Sequence, residues 1–307
     1  MNNVKLQYLI LTALLLFSPN LFAVSVPPSV SAQWLIENLQ QPDLAIIEVS
    51  NEEEFTFNGH IPGSLSTSKT VWRDVDKDGS IVHLPIEKLA EKIRKLGIND
   101  KDGVVLYYKG DNTDEILGAY YLFWLFHLLG HTNVGVLDEG WVGWLNAKGP
   151  IMTDTKEIKV GDFVARPILA LEISTDELDK IRENYILIDG RPKSHFAGLT
   201  RFPANPRYGR IPGSFNQPWQ DYIRKTEDGR YYAKQPKVPR LLARLKLDPH
   251  TPLLLTCLGG TGAAINYAVF YAAGYRNMRL DDAGLRRWNT RRLPLEKTDL
   301  HKLEKKE

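Results

Sequence analysis

The chain has one cysteine, Cys257, in 307 residues. No disulfide can form within it, so no part of the fold is stapled covalently. The seven histidines are scattered and none groups with the cysteine, so no zinc-type ligand spacing exists and no metal or other cofactor is expected. Net charge is only +2, from 39 Lys and Arg against 37 Asp and Glu. Nucleic-acid binding needs clustered basic excess, so nucleic acid is not an expected partner. Long apolar runs are also missing. The best candidate, Tyr8–Phe17, is broken by Pro19 well short of the ~20 residues a spanning helix needs.

Length alone predicts two domains. Hydrophobic residues make up 43% and charged residues 25%, which allows full cores. At the N-terminus, Lys5 precedes the apolar run, and Ser18–Ala23 supplies small residues for a cut. Residues 1–23 therefore read as an export signal, with the mature chain starting near Val24 in the periplasm or another exported location. An uncleaved anchor is the alternative. An exported lone thiol is exposed to oxidation, which flags Cys257 as reactive. The other reading is an inert buried thiol acting as a small hydrophobe.

The chain is written twice. Ala45-Ile46-Ile47-Glu48-Val49-Ser50 matches Ile186-Leu187-Ile188-Asp189-Gly190-Arg191, two β-prone runs that carry an acid at the fourth position. Gly59-His60-Ile61-Pro62-Gly63-Ser64 matches Gly209-Arg210-Ile211-Pro212-Gly213-Ser214. Gly130 and Trp144 recur as Gly274 and Trp288, both 144 residues on. Helices are predicted over about 114–129 and 261–273, with Ser31 and Ser174 as N-caps of earlier ones. Strands alternating with helices predict an α/β fold, each copy a parallel sheet flanked by helices. Residues 30–146 form the first copy, 147–167 a Gly- and Pro-bearing linker, and 168–291 the second. Residues 292–307 read as a solvated charged tail.

Only the second copy keeps a thiol. After the apolar run Leu253-Leu254-Leu255-Thr256 comes Cys257, then Leu258-Gly259-Gly260-Thr261-Gly262 and an Ala-rich helix. The carboxyl end of a strand in a parallel sheet is where ligands sit. Glycines let successive amides turn inward as an anion nest, and the helix N-terminus adds positive potential. Both effects should favour thiolate and lower the thiol pKa.

On these residues the sequence resembles the rhodanese superfamily over about residues 30–290. The carriers are the paired Gly-x-Ile-Pro-Gly-Ser segments, the acids Glu48 and Asp189, and the Cys257 loop. The tandem members include thiosulfate and 3-mercaptopyruvate sulfurtransferases. The resemblance implies that Cys257 takes sulfane sulfur from a small anionic donor as a persulfide and passes it to cyanide, a thiol or a protein acceptor. It also implies that the first copy is structural, with Tyr108 or a near neighbour where the cysteine would be.

The loop departs from the family pattern. None of Leu258, Gly259, Gly260, Thr261 and Gly262 is basic, which disfavours thiosulfate. Gly259 stands where mercaptopyruvate-preferring members carry Ser. Charge for the donor would then come from Arg191, from His195, or from Arg210, which replaces the His kept as His60 in the first copy. Arg191 could equally brace Asp189, and His195 could be structural. Asp282 falls at a position of structural acid near the site. A non-catalytic persulfide carrier is the second reading. A cysteine phosphatase would need Arg at position 263 to clamp phosphate, where the chain has Ala263.

Overall fold

A computed structural model describes residues 24–154, 157–203 and 205–298. Residues 1–23, expected from the sequence to be an export signal, and positions 299–307 of the tail lie outside the described residues. The first half holds a five-stranded parallel sheet in the order Ser29–Val30, Val134–Leu137, Gly103–Tyr107, Leu44–Val49, Leu65–Thr67. The second holds a four-stranded parallel sheet in the order Met278–Leu280, Leu253–Thr256, Ile186–Asp189, Phe215–Asn216. Central strands such as Gly103–Tyr107 and Leu253–Thr256 are buried along their whole length. That is why they read as continuous apolar runs rather than alternating ones.

Two helices, Thr113–Leu128 and Thr261–Ala272, join the halves. Each is apolar on nearly every face, which a surface helix could not tolerate. Each covers its own sheet on one side and meets the other helix on the opposite side. The His127 ring nitrogen Nδ1 lies 3.0 Å from the Tyr267 hydroxyl across this contact. One continuous core therefore includes Ile47 and Leu106 of one half with Leu255 and Ala264 of the other.

The repeat extends to details. Ser31 and Ser174 accept hydrogen bonds from the amides of Trp34 and Glu177 and cap their helices. Glu177 does not complete a capping box, because its carboxylate pairs with Arg279. Trp144 and Trp288 are fully buried, and their indole N–H groups donate to Pro150 and Pro294, each six residues on. The solvated-tail expectation fails at its start. Leu293 and Leu295 pack on the core beside Trp288, and Arg210 pairs by backbone with Glu296. In the first copy His60 pairs in the same way with Met152.

Each half also lends a hairpin to the other. Arg73–Val75 pairs with Ile81–His83, and Ile223–Lys225 with Tyr231–Ala233. The first hairpin crosses to the Cys257 side: Arg73 donates to the Gly259 carbonyl and the His83 amide to Asp282. The second crosses to Tyr108: the Tyr231 amide donates to Gly110 and the Ala233 amide to the Tyr108 hydroxyl.

Candidate active site

Cys257 follows directly on the strand Leu253–Thr256, and its side chain is 4% exposed. The amides of Gly259, Gly262 and Ala263 lie near enough to the thiol to favour its anion. Two of these amides belong to loop glycines, and Ala263 adds a third from the first turn of the helix Thr261–Ala272. Gly260 has φ +78°, and a Cβ there would lie 2.1 Å from Asp282 Oδ1. At Gly262 a Cβ would lie 2.8 Å from the Trp219 ring and 3.5 Å from the sulfur. The loop can thus close around the thiol only with glycine at both positions.

The expected lowering of the thiol pKa does not follow. Burial pushes the Cys257 thiol above its ordinary value, and the Asp189 charge adds to this. The three amides pull the other way and are outweighed. Arg73 is a cation whose field reaches the thiol.

The thiol opens into a cavity of about 670 Å³ between the two halves. Leu258, Gly259, Thr261 and Gly262 line it beside Cys257, and Val75, Ile81, Leu117, Phe202 and Trp219 give it apolar walls. Gly260 does not line it and instead turns the loop.

Arg191 reaches this cavity, but its charge is already used. Its guanidinium makes a fork to Asp189 at 2.6 and 2.9 Å and donates to the Gly209 carbonyl. The first copy repeats the arrangement: Lys109 pairs with Glu48 and donates to the Gly59 carbonyl. A brace present in the copy without a thiol serves the fold. Breaking such a buried pair costs about 3–5 kcal/mol, so Arg191 is not available for a donor.

Two other sequence candidates lie away from the cavity. His195 packs edge-on to Phe202, ring centroids 4.1 Å apart, and does not line it. Burial and Arg191 hold its pKa below the ordinary value. Arg210 pairs with Glu296 at 2.9 Å and lies over the Phe196 ring. His60 stacks on Phe55 in the same place of the first copy. The residue after the first Gly of each Gly-x-Ile-Pro-Gly-Ser segment therefore holds the chain that follows its domain.

Asp282 is near the loop, as expected, but it faces the other half. It accepts from the Tyr121 hydroxyl and the His83 amide, and pairs with Arg73 at 3.3 Å. Bracing within its own half falls to Asp281, which accepts from Thr175, Thr256 and the Gly284 amide. Burial pushes the Asp281 carboxyl up to about 7. Burial alone would lower His83, but Glu172 and Asp282 outweigh it and raise it to about 9.

Arg73, Lys69, Trp219 and Arg286 line the cavity and were missed in the sequence. Arg73 and Lys69 belong to the cysteine-free copy, and only the meeting of the two halves brings them to the cleft beside the thiol. Arg286 sits in the Arg286-Arg287-Trp288 run, which reads as an exposed helix end.

The copies can now be superposed at the loop. The Leu285 amide donates to the Cys257 carbonyl, and the Trp141 amide donates to the Tyr108 carbonyl. Tyr108 is therefore the counterpart of Cys257. Its loop still turns the Gly110 and Asp111 amides inward, but they hold the chain's own Glu115 carboxylate.

Two parallel α/β halves sharing one cleft, with one thiol in an amide nest, define a tandem rhodanese-like architecture. The Rhodanese-like domain family matches residues 31–147 and 174–291, and the chain belongs to that family. It is 29% identical over 292 residues to the thiosulfate sulfurtransferase of Corynebacterium glutamicum, covering 87% of this chain and 89% of that one. It is 26% identical over 287 residues to the 3-mercaptopyruvate sulfurtransferase of Escherichia coli, covering 87% and 97%. The crystal structure of SseA from Escherichia coli superposes with a TM-score of 0.70 at 22% identity, covering 84% of this chain and 99% of that chain.

Proposed function

We propose that the protein is a sulfurtransferase that carries sulfane sulfur on Cys257. One observation carries the reading: the only thiol follows a buried parallel strand, in a glycine loop at the edge of the cleft between the halves, with the amides of Gly259, Gly262 and Ala263 favouring its anion. That cradle suits a sulfur anion, whether thiolate or persulfide, because main-chain N–H groups donate without being protonated themselves. The Cys257 thiolate attacks the terminal sulfur of the donor and forms an S–S bond. The donor's own bond to that sulfur breaks, and the electron pair leaves with sulfite from thiosulfate, or with pyruvate enolate from mercaptopyruvate. An acceptor thiolate or cyanide then attacks the outer sulfur and releases the Cys257 thiolate.

The test is mass spectrometry of the intact protein after donor treatment, followed by cyanide or thiol turnover. Wild type should gain the mass of one sulfur atom on Cys257 and lose it to the acceptor, and Cys257→Ser should do neither. Equal rates in both proteins would remove Cys257 from the reaction. A stable adduct without turnover would make the protein a carrier. We further read residues 1–23 as an export signal that places this chemistry outside the cytoplasm. N-terminal sequencing of protein from the periplasmic fraction should begin near Val24, and full-length protein in the cytoplasm would overturn this.

A further inference from the structure

The loop around Cys257 carries no cation, and the cations that line the cleft are not equivalent. Lys69 pairs with Asp114 at 2.9 Å, Arg73 with Asp282 at 3.3 Å, and Arg191 with Asp189 at 2.6 Å. Arg286 lines the same cleft, half-buried, and its guanidinium makes no ion pair or side-chain hydrogen bond among the described residues.

Its position is fixed from below. The amides of Leu285 and Arg286 donate to the carbonyls of Cys257 and Leu258, so the start of the helix Gly284–Thr290 is tied to the thiol loop itself. The Arg286 side chain then runs over Gly259: a Cβ on Gly259 would lie 3.4 Å from Arg286 Nε. A side chain at position 259 would press on the stem of the arginine, whereas glycine leaves it room to lie against the loop.

We infer that Arg286 holds the anionic group of the sulfur donor, and that the donor is an organic anion with an apolar body, of the thiosulfonate or carboxylated-persulfide kind. This rests on the sulfur-transfer reading above. Charge supports the first part, because recruiting a guanidinium without a carboxylate partner breaks no ion pair, and it offers a fork to an oxyanion. Shape supports the second. Thiosulfate would leave most of a 670 Å³ cleft unfilled, and Val75, Ile81, Leu117, Phe202 and Trp219 give the same cleft apolar walls. A hydrocarbon body laid on those walls is withdrawn from water, and the bare dianion gains nothing from them.

The experiment compares benzenethiosulfonate, methanethiosulfonate, thiosulfate and the uncharged donor diallyl trisulfide on wild type, Arg286→Gln and Arg286→Lys, with cyanide as acceptor. Wild type should show kcat/KM highest for benzenethiosulfonate. Arg286→Gln should lose about tenfold to a hundredfold in kcat/KM for the anionic donors, the range for one hydrogen bond to a charged group, and far less for the trisulfide. Arg286→Lys should regain part of the loss. An equal loss with charged and uncharged donors would show that Arg286 only props the loop and would overturn the assignment. A wild-type preference for thiosulfate would overturn the apolar-body part. If no donor loads sulfur on wild-type Cys257, the underlying sulfur-transfer reading fails, and this inference with it.

Discussion

The Tyr121 hydroxyl of the first half donates to the Asp282 carboxylate of the second, 2.9 Å from each oxygen. Both groups are buried, and Asp282 lies against Gly260 of the thiol loop. The contact therefore couples the packing of the halves to the shape of the nest. Tyr121→Phe keeps the ring and removes the donor, leaving a buried carboxylate one partner short. The expected cost is about 1–3 kcal/mol in urea unfolding, together with slower sulfur loading of Cys257. Unchanged stability and unchanged loading would show that the bond is idle.

The thiol should ionise late. Burial raises Cys257, and the amides only reduce that rise. Its rate of alkylation by iodoacetamide should still be climbing above the ordinary thiol range of about 8–9. Arg73→Gln removes a nearby cation and should shift the profile further up. A rate that levels off below neutral pH would mean that the nest prevails over burial.

Glu115 gives a stability prediction with a defined sign. Burial raises its carboxyl from 4.5 to about 7, against the pull of the Gly110 and Asp111 amides. The folded state then binds the proton more tightly than the unfolded state. Its contribution is full below pH 4.5 and is lost as pH rises through about 7. Glu115→Gln avoids that loss and should be more stable than wild type above pH 7, with the difference shrinking as pH approaches 4.5. Urea midpoints at several pH values measure it, and a constant difference would contradict the assignment.

Gly260→Ala tests the closeness of the loop. Gly260 and Gly213 share a positive φ, +78° and +79°, but only Gly260 has atoms in the way of a Cβ. Both substitutions carry the backbone penalty of about 1–3 kcal/mol. Only Gly260→Ala should also displace Asp282 and stop sulfur loading. Equal behaviour of the two variants, by thermal unfolding and by mass shift, would remove the contact from the account.

The duplicated fold was legible because its signals are local. The twin Gly-x-Ile-Pro-Gly-Ser segments, the strand-ending acids and the Cys257 loop each lie within a few residues of chain. The charges around the thiol were not legible. Arg210 looked available because it adds a positive charge where the first copy keeps His60, yet both serve the chain that follows their domains. Arg191 could be read as brace or ligand, and only its match with Lys109 and Glu48 decides for the brace. Arg73 and Lys69 come from the copy without a thiol, across a contact between the halves that no local pattern encodes. The direction of the thiol pKa also escaped, since burial by Trp219 and the other half is not a property of the loop sequence.

The exchanged hairpins have a consequence for anyone dividing the chain. Cleaving it between residues 147 and 167 should yield two fragments that cling together like subunits, since each supplies the lid of the other. Made alone, the thiol-bearing fragment would present the greasy wall of Thr261–Ala272 to water and lose the roof over its sulfur. The smallest working unit is therefore the pair.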